Sequence, residues 1–409
     1  VAGATSFSAT LELRAVRDSE GGLKVKPIYM DHNATTPLDS KVLEAMMPYL
    51  TEHFGNASSS THSYGRTAGQ GVEDAREKVA ALIGAKPREI IFTSGATESD
   101  NLAIKGVARA YADKGDHIIT CKVEHKAVLN SCKRLEKEGF KVTYLPVDSY
   151  GMVDPGDVRK AITDRTILVS IMAANSEVGT VEPIEEIGAV TREMGVLFHT
   201  DATQAVAKIP VDVEKMNVDL LALSAHKVYG PKGVGAMYVR RGVKLEPLAD
   251  GGGQERKLRS GTLNVAGIVG LGAACSVTPQ EMQEEAERLT ALRDFLAKGI
   301  TDRVKHANVN GHPTKRLPGN LNMSFEFVEG ESLILSLRDF AVSSGSACTS
   351  DSLESSYVLV AMGVEESVAH CSLRFGLGRC NTQEHVDKLV KDVEESVAKL
   401  RAMSPLYKG

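Results

Sequence analysis

The 409-residue sequence predicts an α/β protein: a large domain on a mostly parallel, doubly wound, seven-stranded sheet, followed by a smaller α+β domain at the C-terminus. Three observations predict it. Between about residues 88 and 240, short apolar, β-branched runs alternate with longer stretches of helical periodicity. Each run is almost continuously hydrophobic, which suits a strand covered on both faces. After about residue 275 the pattern changes to long amphipathic helices and short strands.

The runs, in order, are 89–93 (EIIFT), 117–121 (HIITC), 142–145 (VTYL), 167–172 (ILVSIM), 196–200 (VLFHT) and 220–223 (LLAL). A seventh, 235–240, fits an antiparallel addition. Between them, helices are expected over 101–111, 126–137 and 184–193. Residues 280–306 read as one long helix, with Leu289, Leu292, Leu296 and Ile300 on one face. Short strands follow near 320–325 and 341–343. A helix over 382–403 closes the chain, its apolar side being Val386, Leu389, Val390, Val393, Val397 and Leu400.

Composition excludes several classes. Lysine plus arginine number 48 and aspartate plus glutamate 53, a formal charge of −5 with no basic block, so a general nucleic-acid binder is not expected. No apolar run approaches the ~18 residues that span a bilayer. Six cysteines, Cys121, Cys132, Cys275, Cys348, Cys371 and Cys380, are too few for a disulfide scaffold, and none forms C-x-x-C. They read as reduced thiols in a cytosol-like compartment. Residues 1–26 read as a loosely structured lead-in. They have no apolar signal region, and Glu12, Asp18 and Glu20 weaken a mitochondrial transit reading.

Ligands of open parallel sheets bind beyond the carboxyl ends of the strands, so the residues that follow each run matter. After 89–93 come Ser94, Gly95, Ala96, Thr97 and Glu98. Small residues at a helix start leave N–H groups free for a phosphate, although a plain Ser/Thr cap would look the same. The other strand ends bring Glu124 and His125, then Asn175, then Asp201 with Gln204, then Ser224, His226 and Lys227. Singly, each has a structural explanation. Together they supply what pyridoxal phosphate needs: a lysine for the Schiff base, a carboxylate for the pyridinium nitrogen and a phosphate cup. Lys227 and Lys232 both qualify as the lysine, and Lys227 is preferred because it directly follows a buried strand. The histidines lack metal-ligand spacing. Cys348 differs from the other cysteines. It lies in a serine-rich stretch, 342–353 (VSSGSACTSDSL), as a nucleophilic thiol that must travel would. Arg374 and Arg379 are equal candidates to clamp a substrate carboxylate.

Several long motifs then resemble the cysteine desulfurases of the NifS/IscS type, fold-type I pyridoxal-phosphate enzymes. They are DHNATTPLD (31–39), FTSGATESDNLAIKG (92–106), EHKAVL (124–129), HTDATQ (199–204), SAHKVYGPKGVG (224–235), GGGQERKLRSGT (251–262) and SSGSACTS (343–350). The resemblance implies that Lys227 carries the cofactor and Asp201 binds its pyridine nitrogen. Gln204 would bind the ring hydroxyl, and His125 would stack on the ring and shuttle protons. Ala96, Thr97, Ser224 and His226 would hold the phosphate, with Thr262 reaching it from the partner subunit of a homodimer. Asn175 and Arg374 would hold the carboxylate of L-cysteine, with Asn33 at the entrance. Cys348 would accept the sulfur. No intrinsic metal site is implied, although Cys348 could transiently ligate an iron–sulfur cluster together with a partner scaffold.

Also implied are the domain limits, namely a segment 27–38 joining the small domain, a large domain 39–278 and a small domain 279–409. The product is L-alanine, and the sulfur goes to an iron–sulfur scaffold protein or another acceptor, such as tRNA thiolation. The compartment implied is the cytoplasm, with the mitochondrial matrix as the alternative. Asp351, Val360 and Cys380 depart from the family's usual residues without touching a catalytic role. Rival readings are another fold-type I enzyme, such as an aminotransferase or selenocysteine lyase, and a non-catalytic sulfur-relay scaffold.

Overall fold

The computed structural model describes residues 16–17, 23–24, 26–344, 355–405 and 407. The large sheet contains seven strands: β1 (Ile90–Thr93), β2 (His117–Cys121), β3 (Lys141–Leu145), β4 (Thr166–Ser170), β5 (Leu197–Asp201), β6 (Leu220–Ser224) and β7 (Gly235–Val239). Their order is β1-β7-β6-β5-β4-β2-β3. Only β7 runs against its neighbours β1 and β6, as expected of the seventh run.

Alternation along the strands sorts the core into two layers. Ile91, Ile118, Leu168, Leu220 and Met237 face α3 (Ala96–Ala110) and α4 (Lys126–Lys137). Phe92, Ile119, Val169, Phe198, Leu221 and Tyr238 face the opposite layer, which includes Val72 and Val79 of α2 (Ser63–Leu82). A sheet covered on both sides explains why its strands read as unbroken hydrophobic runs.

Several elements differ from expectation. α3 starts at Ala96, five residues before the anticipated 101, because the helix begins directly out of the turn that ends β1. The helices Ser40–Thr51 (α1) and Ser63–Leu82 escaped sequence reading. α2 buries mostly small residues, Gly65, Ala68, Gly71 and Ala75, which carry little hydrophobic signal. That small face admits the helix Val265–Ala274 so closely that a Cβ on Gly272 would lie 2.6 Å from Ala75 Cβ. The long helix of the C-terminal part ends at Thr301, and a strand, Ala307–Asn310, follows. His306, at φ 54°, turns the chain between them, although Val304 continues the apolar spacing.

A second, antiparallel sheet joins Ala307–Asn310, Asn320–Phe325 and Ser372–Gly376. Leu292, Leu296 and Ile300 of Pro279–Thr301 and Val386, Leu389 and Val393 of Gln383–Met403 pack on it. Met30, from near the start of the described chain, is buried in the same cluster. Ile28–Tyr29 pairs with Phe340–Ala341. The two sheets thereby meet at residues 31–36, beside the carboxyl ends of the large sheet: Asp31 bridges Gly376, and the Thr36 N–H donates to His226 O at 2.9 Å.

At that end, backbone approaches backbone. Gly235 pairs with both Thr93 and Ser224, and a Cβ there would lie 2.7 Å from Gly95 Cα. Gly235→Ala is therefore expected to lower stability by about 1–3 kcal/mol through overpacking. Denaturant unfolding measures this, and an unchanged midpoint would show that the contact can relax.

Candidate active site

The strand ends open into one cavity of about 540 Å³, whose lining includes Asn33, Ser94–Thr97, His125, Asp201, Gln204, Ser224, His226, Lys227 and Arg374. At the start of α3 the N-cap is Gly95, and no side chain caps the helix. The Ser/Thr cap that the sequence allowed is thus not made, and residues 94–98 line the cavity. Gly95, at φ 154°, adopts a backbone that L-residues rarely reach.

Lys227 follows β6 in a short 3₁₀ turn, and its Nζ donates to the carbonyls of Asn33 (2.7 Å) and Ala34 (2.6 Å). Lys232 also lines the cavity but is exposed. Gln204 exchanges hydrogen bonds with Asn33: Gln204 Nε2 donates to Asn33 O (2.9 Å), and Asn33 Nδ2 donates to Gln204 Oε1 (3.2 Å). His226 Nδ1 meets Thr35 Oγ1 at 3.1 Å. Burial, and then the charges of Lys227, Lys232 and Lys208, push His226 down to about 4, so its ring is neutral near pH 7. His125 caps α4, its Nδ1 accepting from Ala127 N–H (3.2 Å). An accepting Nδ1 leaves the neutral ring's proton on Nε2.

Under the cavity lies a buried polar layer. Asp201 Oδ1 accepts from Thr203 N–H (2.9 Å). Asp100, His125 and Asp201 bring ligand atoms within 4.8 Å of one another. Burial, and then the Asp201 and Glu124 carboxylates, push Asp100 well above the usual carboxyl range. Glu124 is pushed up in the same way, first by burial and then by Asp201, while its Oε1 accepts from Met172 N–H (2.6 Å). His199, lowered to about 4 by burial, sits with Nε2 3.5 Å from Asp100 Oδ1 and Nδ1 2.8 Å from Ser170 Oγ.

Other candidates fall elsewhere. Arg374 is buried against the cavity, donating to Asp31 Oδ1 (2.7 Å) and Ser176 O (3.1 Å). Arg379, its equal on spacing, instead pairs with Asp39 and Glu285 and stacks over Tyr229. Asn175 is not in the cavity wall, where its neighbours Ala174 and Ser176 stand. Its amide is fully engaged: Oδ1 accepts from Glu177 and Val178 N–H, and Nδ2 donates to Val123 O. Thr262 is exposed and does not line this cavity. Cys348 lies outside the described residues. Sequence reasoning missed Asp31, Asp100 and Lys208. Each lies inside or beside a motif already singled out, but the partner that gives it meaning is distant in sequence.

On this fold, such a rim defines the aminotransferase-like class of α/β enzymes. The sequence pattern of the Aminotransferase class-V family matches residues 28–389. The chain is 59% identical to Cysteine desulfurase IscS of Anaeromyxobacter sp. (strain Fw109-5), covering 93% of this chain and 95% of that one. It is 57% identical to a probable mitochondrial cysteine desulfurase of Dictyostelium discoideum, covering 93% and 85%. A solved NifS-like protein superposes with a TM-score of 0.85 at 42% identity, covering 91% of this chain and all of that one. The chain belongs to the class-V aminotransferases, in their NifS/IscS branch.

Lys208 offers a direct check on the site's electrostatics. Its Nζ donates to Gln204 Oε1 at 2.9 Å. Burial, and then the charges of Lys227 and Arg374, lower it to about 7, with Glu285 opposing. An unfolded lysine titrates near ~10.4. Between these values the unfolded chain binds the extra proton, so this group makes stability rise with pH. On the cofactor-free chain, Lys208→Met should exceed the wild type in Tm by its full margin at and below about pH 7, with the gap closing toward about pH 10. A gap independent of pH would refute the shift.

Proposed function

We propose that the protein is a pyridoxal-5′-phosphate-dependent cysteine desulfurase. It converts L-cysteine to L-alanine and takes up the sulfur on Cys348 as a persulfide, for an iron–sulfur scaffold protein and for other acceptors such as tRNA thiolation. The observation that carries this reading is Lys227 and Asp201 facing one cavity whose rim is an uncapped helix start.

The donor set fits the cofactor. The N–H groups of Ala96 and Thr97, with Ser224 and His226, suit a phosphate. Asp201 keeps an oxygen for a ring nitrogen while Thr203 steadies the other. Gln204 suits the ring hydroxyl, His125 the ring face, and Lys227 Nζ the aldehyde carbon. Bound there, pyridoxal phosphate supplies an electron sink for bond breaking beside the substrate's amino group. Asp201 holds the ring nitrogen's proton. Lys227, released from its carbonyl contacts, moves the proton at the substrate Cα, and His125 Nε2 is the second proton carrier. Arg374 clamps the carboxylate with its planar fork, sharing it with Asp31. Asn33 stands at the entrance. Asn175 would assist only by giving up one of its present hydrogen bonds.

In the sulfur step, Cys348 Sγ bonds to the substrate sulfur as the substrate Cβ–Sγ bond breaks. That electron pair stays with carbon, which takes up a proton on the way to alanine, and the protein keeps the persulfide. A homodimer is part of the reading, with Thr262 directed at a second copy's phosphate. The exposed apolar side chains of Leu43, Met47 and Leu50 on α1, with Phe54 and Tyr64 nearby, suit such a contact. No helix among the described residues is long and apolar enough to cross a membrane. Cytoplasm and mitochondrial matrix both fit the reading.

Cys348→Ala tests the persulfide assignment. Cofactor absorbance should survive, while alanine release from L-cysteine falls by about two orders of magnitude or more. Unchanged alanine output would sink it, and a wild-type protein without the cofactor's visible absorbance would sink the enzyme reading. L-Selenocysteine assayed in parallel separates a lyase from a desulfurase.

A further inference from the structure

The segment after β7 contains three consecutive non-glycine residues in the left-handed region: Glu255 (φ 43°), Arg256 (φ 57°) and Lys257 (φ 67°). L-residues avoid this region, and a run of three persists only where surrounding contacts over-determine it. The polar side-chain contacts here run to Arg76 of α2 and to the two elements that flank the 94–97 turn.

On one side is β1, the edge strand of the large sheet. Its outward Phe92 N–H donates to Glu255 Oε2 at 2.7 Å. Its outward Ile90 carbonyl accepts from Arg76 Nη1 (2.9 Å) and Arg256 Nη2 (3.4 Å). Arg76 and Glu255 close this arrangement as a two-toothed ion pair at 2.9 and 2.8 Å, with the Glu255 side chain only 2% exposed. On the other side is the first turn of α3. Arg259 Nε donates to Glu98 Oε1 (2.9 Å), and Glu98 Oε2 accepts from Ser94 N–H (2.8 Å). Burial opposes ionisation of Glu98, but the hydrogen bonds from Arg259 and Ser94 prevail and hold its carboxyl below the ordinary value. The left-handed turn reverses the chain, so that Glu255 points into the sheet edge and Arg259 returns over α3.

We infer that residues 255–259 form a clamp that fixes the 94–98 turn from outside the cavity, with Glu255 and Arg259 as positioning residues for the phosphate of the cofactor. None of the three residues Arg76, Glu255 and Arg259 lines the cavity, so the effect runs through the backbone of β1 and through Glu98. The inference rests on the reading of that turn as the phosphate cup.

The experiment compares affinity for pyridoxal 5′-phosphate with affinity for pyridoxal, which lacks the phosphate, in the full-length chain stripped of cofactor. Arg259→Met should lower the ratio of the two affinities about tenfold, leaving pyridoxal binding and Tm close to wild type. Arg259→Lys, which keeps the charge, should restore part of the ratio. Glu255→Gln should act in the same direction as Arg259→Met, and Arg259, at the surface, remains testable if the Glu255 variant does not fold. An unchanged ratio in Arg259→Met, or an equal loss for both ligands, overturns the clamp. Ser224→Ala separates the two levels: if it lowers the ratio and Arg259→Met does not, the cup stands without the clamp. A wild type that shows no preference for the phosphorylated form refutes the cup itself.

Discussion

The site is organised around the cost of burying negative charge. Asp201 lines the cavity, and Asp100 and Glu124 lie fully buried near it, where water is excluded and like charges repel. That environment permits few anions. Burial and mutual repulsion oppose ionisation of Asp100 and Glu124, while Asp201 has a backbone N–H donor and lines the cavity. Burial likewise holds His199 neutral. Of the three carboxyl groups, Asp201 is the one that lines the cavity.

The parallel sheet makes this arrangement affordable. Its strands end at one level, so residues far apart in sequence arrive together without long loops. The small sheet contributes through the crossing segment 31–36, which supplies the carbonyls that hold Lys227 and the carboxylate that holds Arg374. The contacts of residues 31–36 keep Lys227 and Arg374 in register.

Much of this was legible in the sequence, for reasons that can be named. Two-sided burial made six of the strands hydrophobic almost without interruption, the edge strand β3 kept enough β-branched and aromatic residues to be read, and the residues after them formed a chemically coherent set. The small-residue face of α2 and the turn at His306 carry no periodic signal, and those boundaries were not legible. Asn175 shows a different gap. Its place just after a strand says nothing of the four hydrogen-bonding positions it already fills from Val123, Met172, Glu177 and Val178. Likewise, Arg374 and Arg379 are indistinguishable by spacing. What separates them is Asp31 on one side and the Tyr229 ring on the other, both products of tertiary folding.

The side-chain contacts along β1 have a consequence for the life of the protein before it meets any ligand. An edge strand with open N–H and carbonyl groups is a template for pairing with another chain, and hydrophobic strands such as this one are the most hazardous. Here Glu255 and Arg76 occupy those groups in place of a neighbouring strand. A charged fork in that position resists intermolecular β-pairing, and so protects the newly folded chain from aggregation.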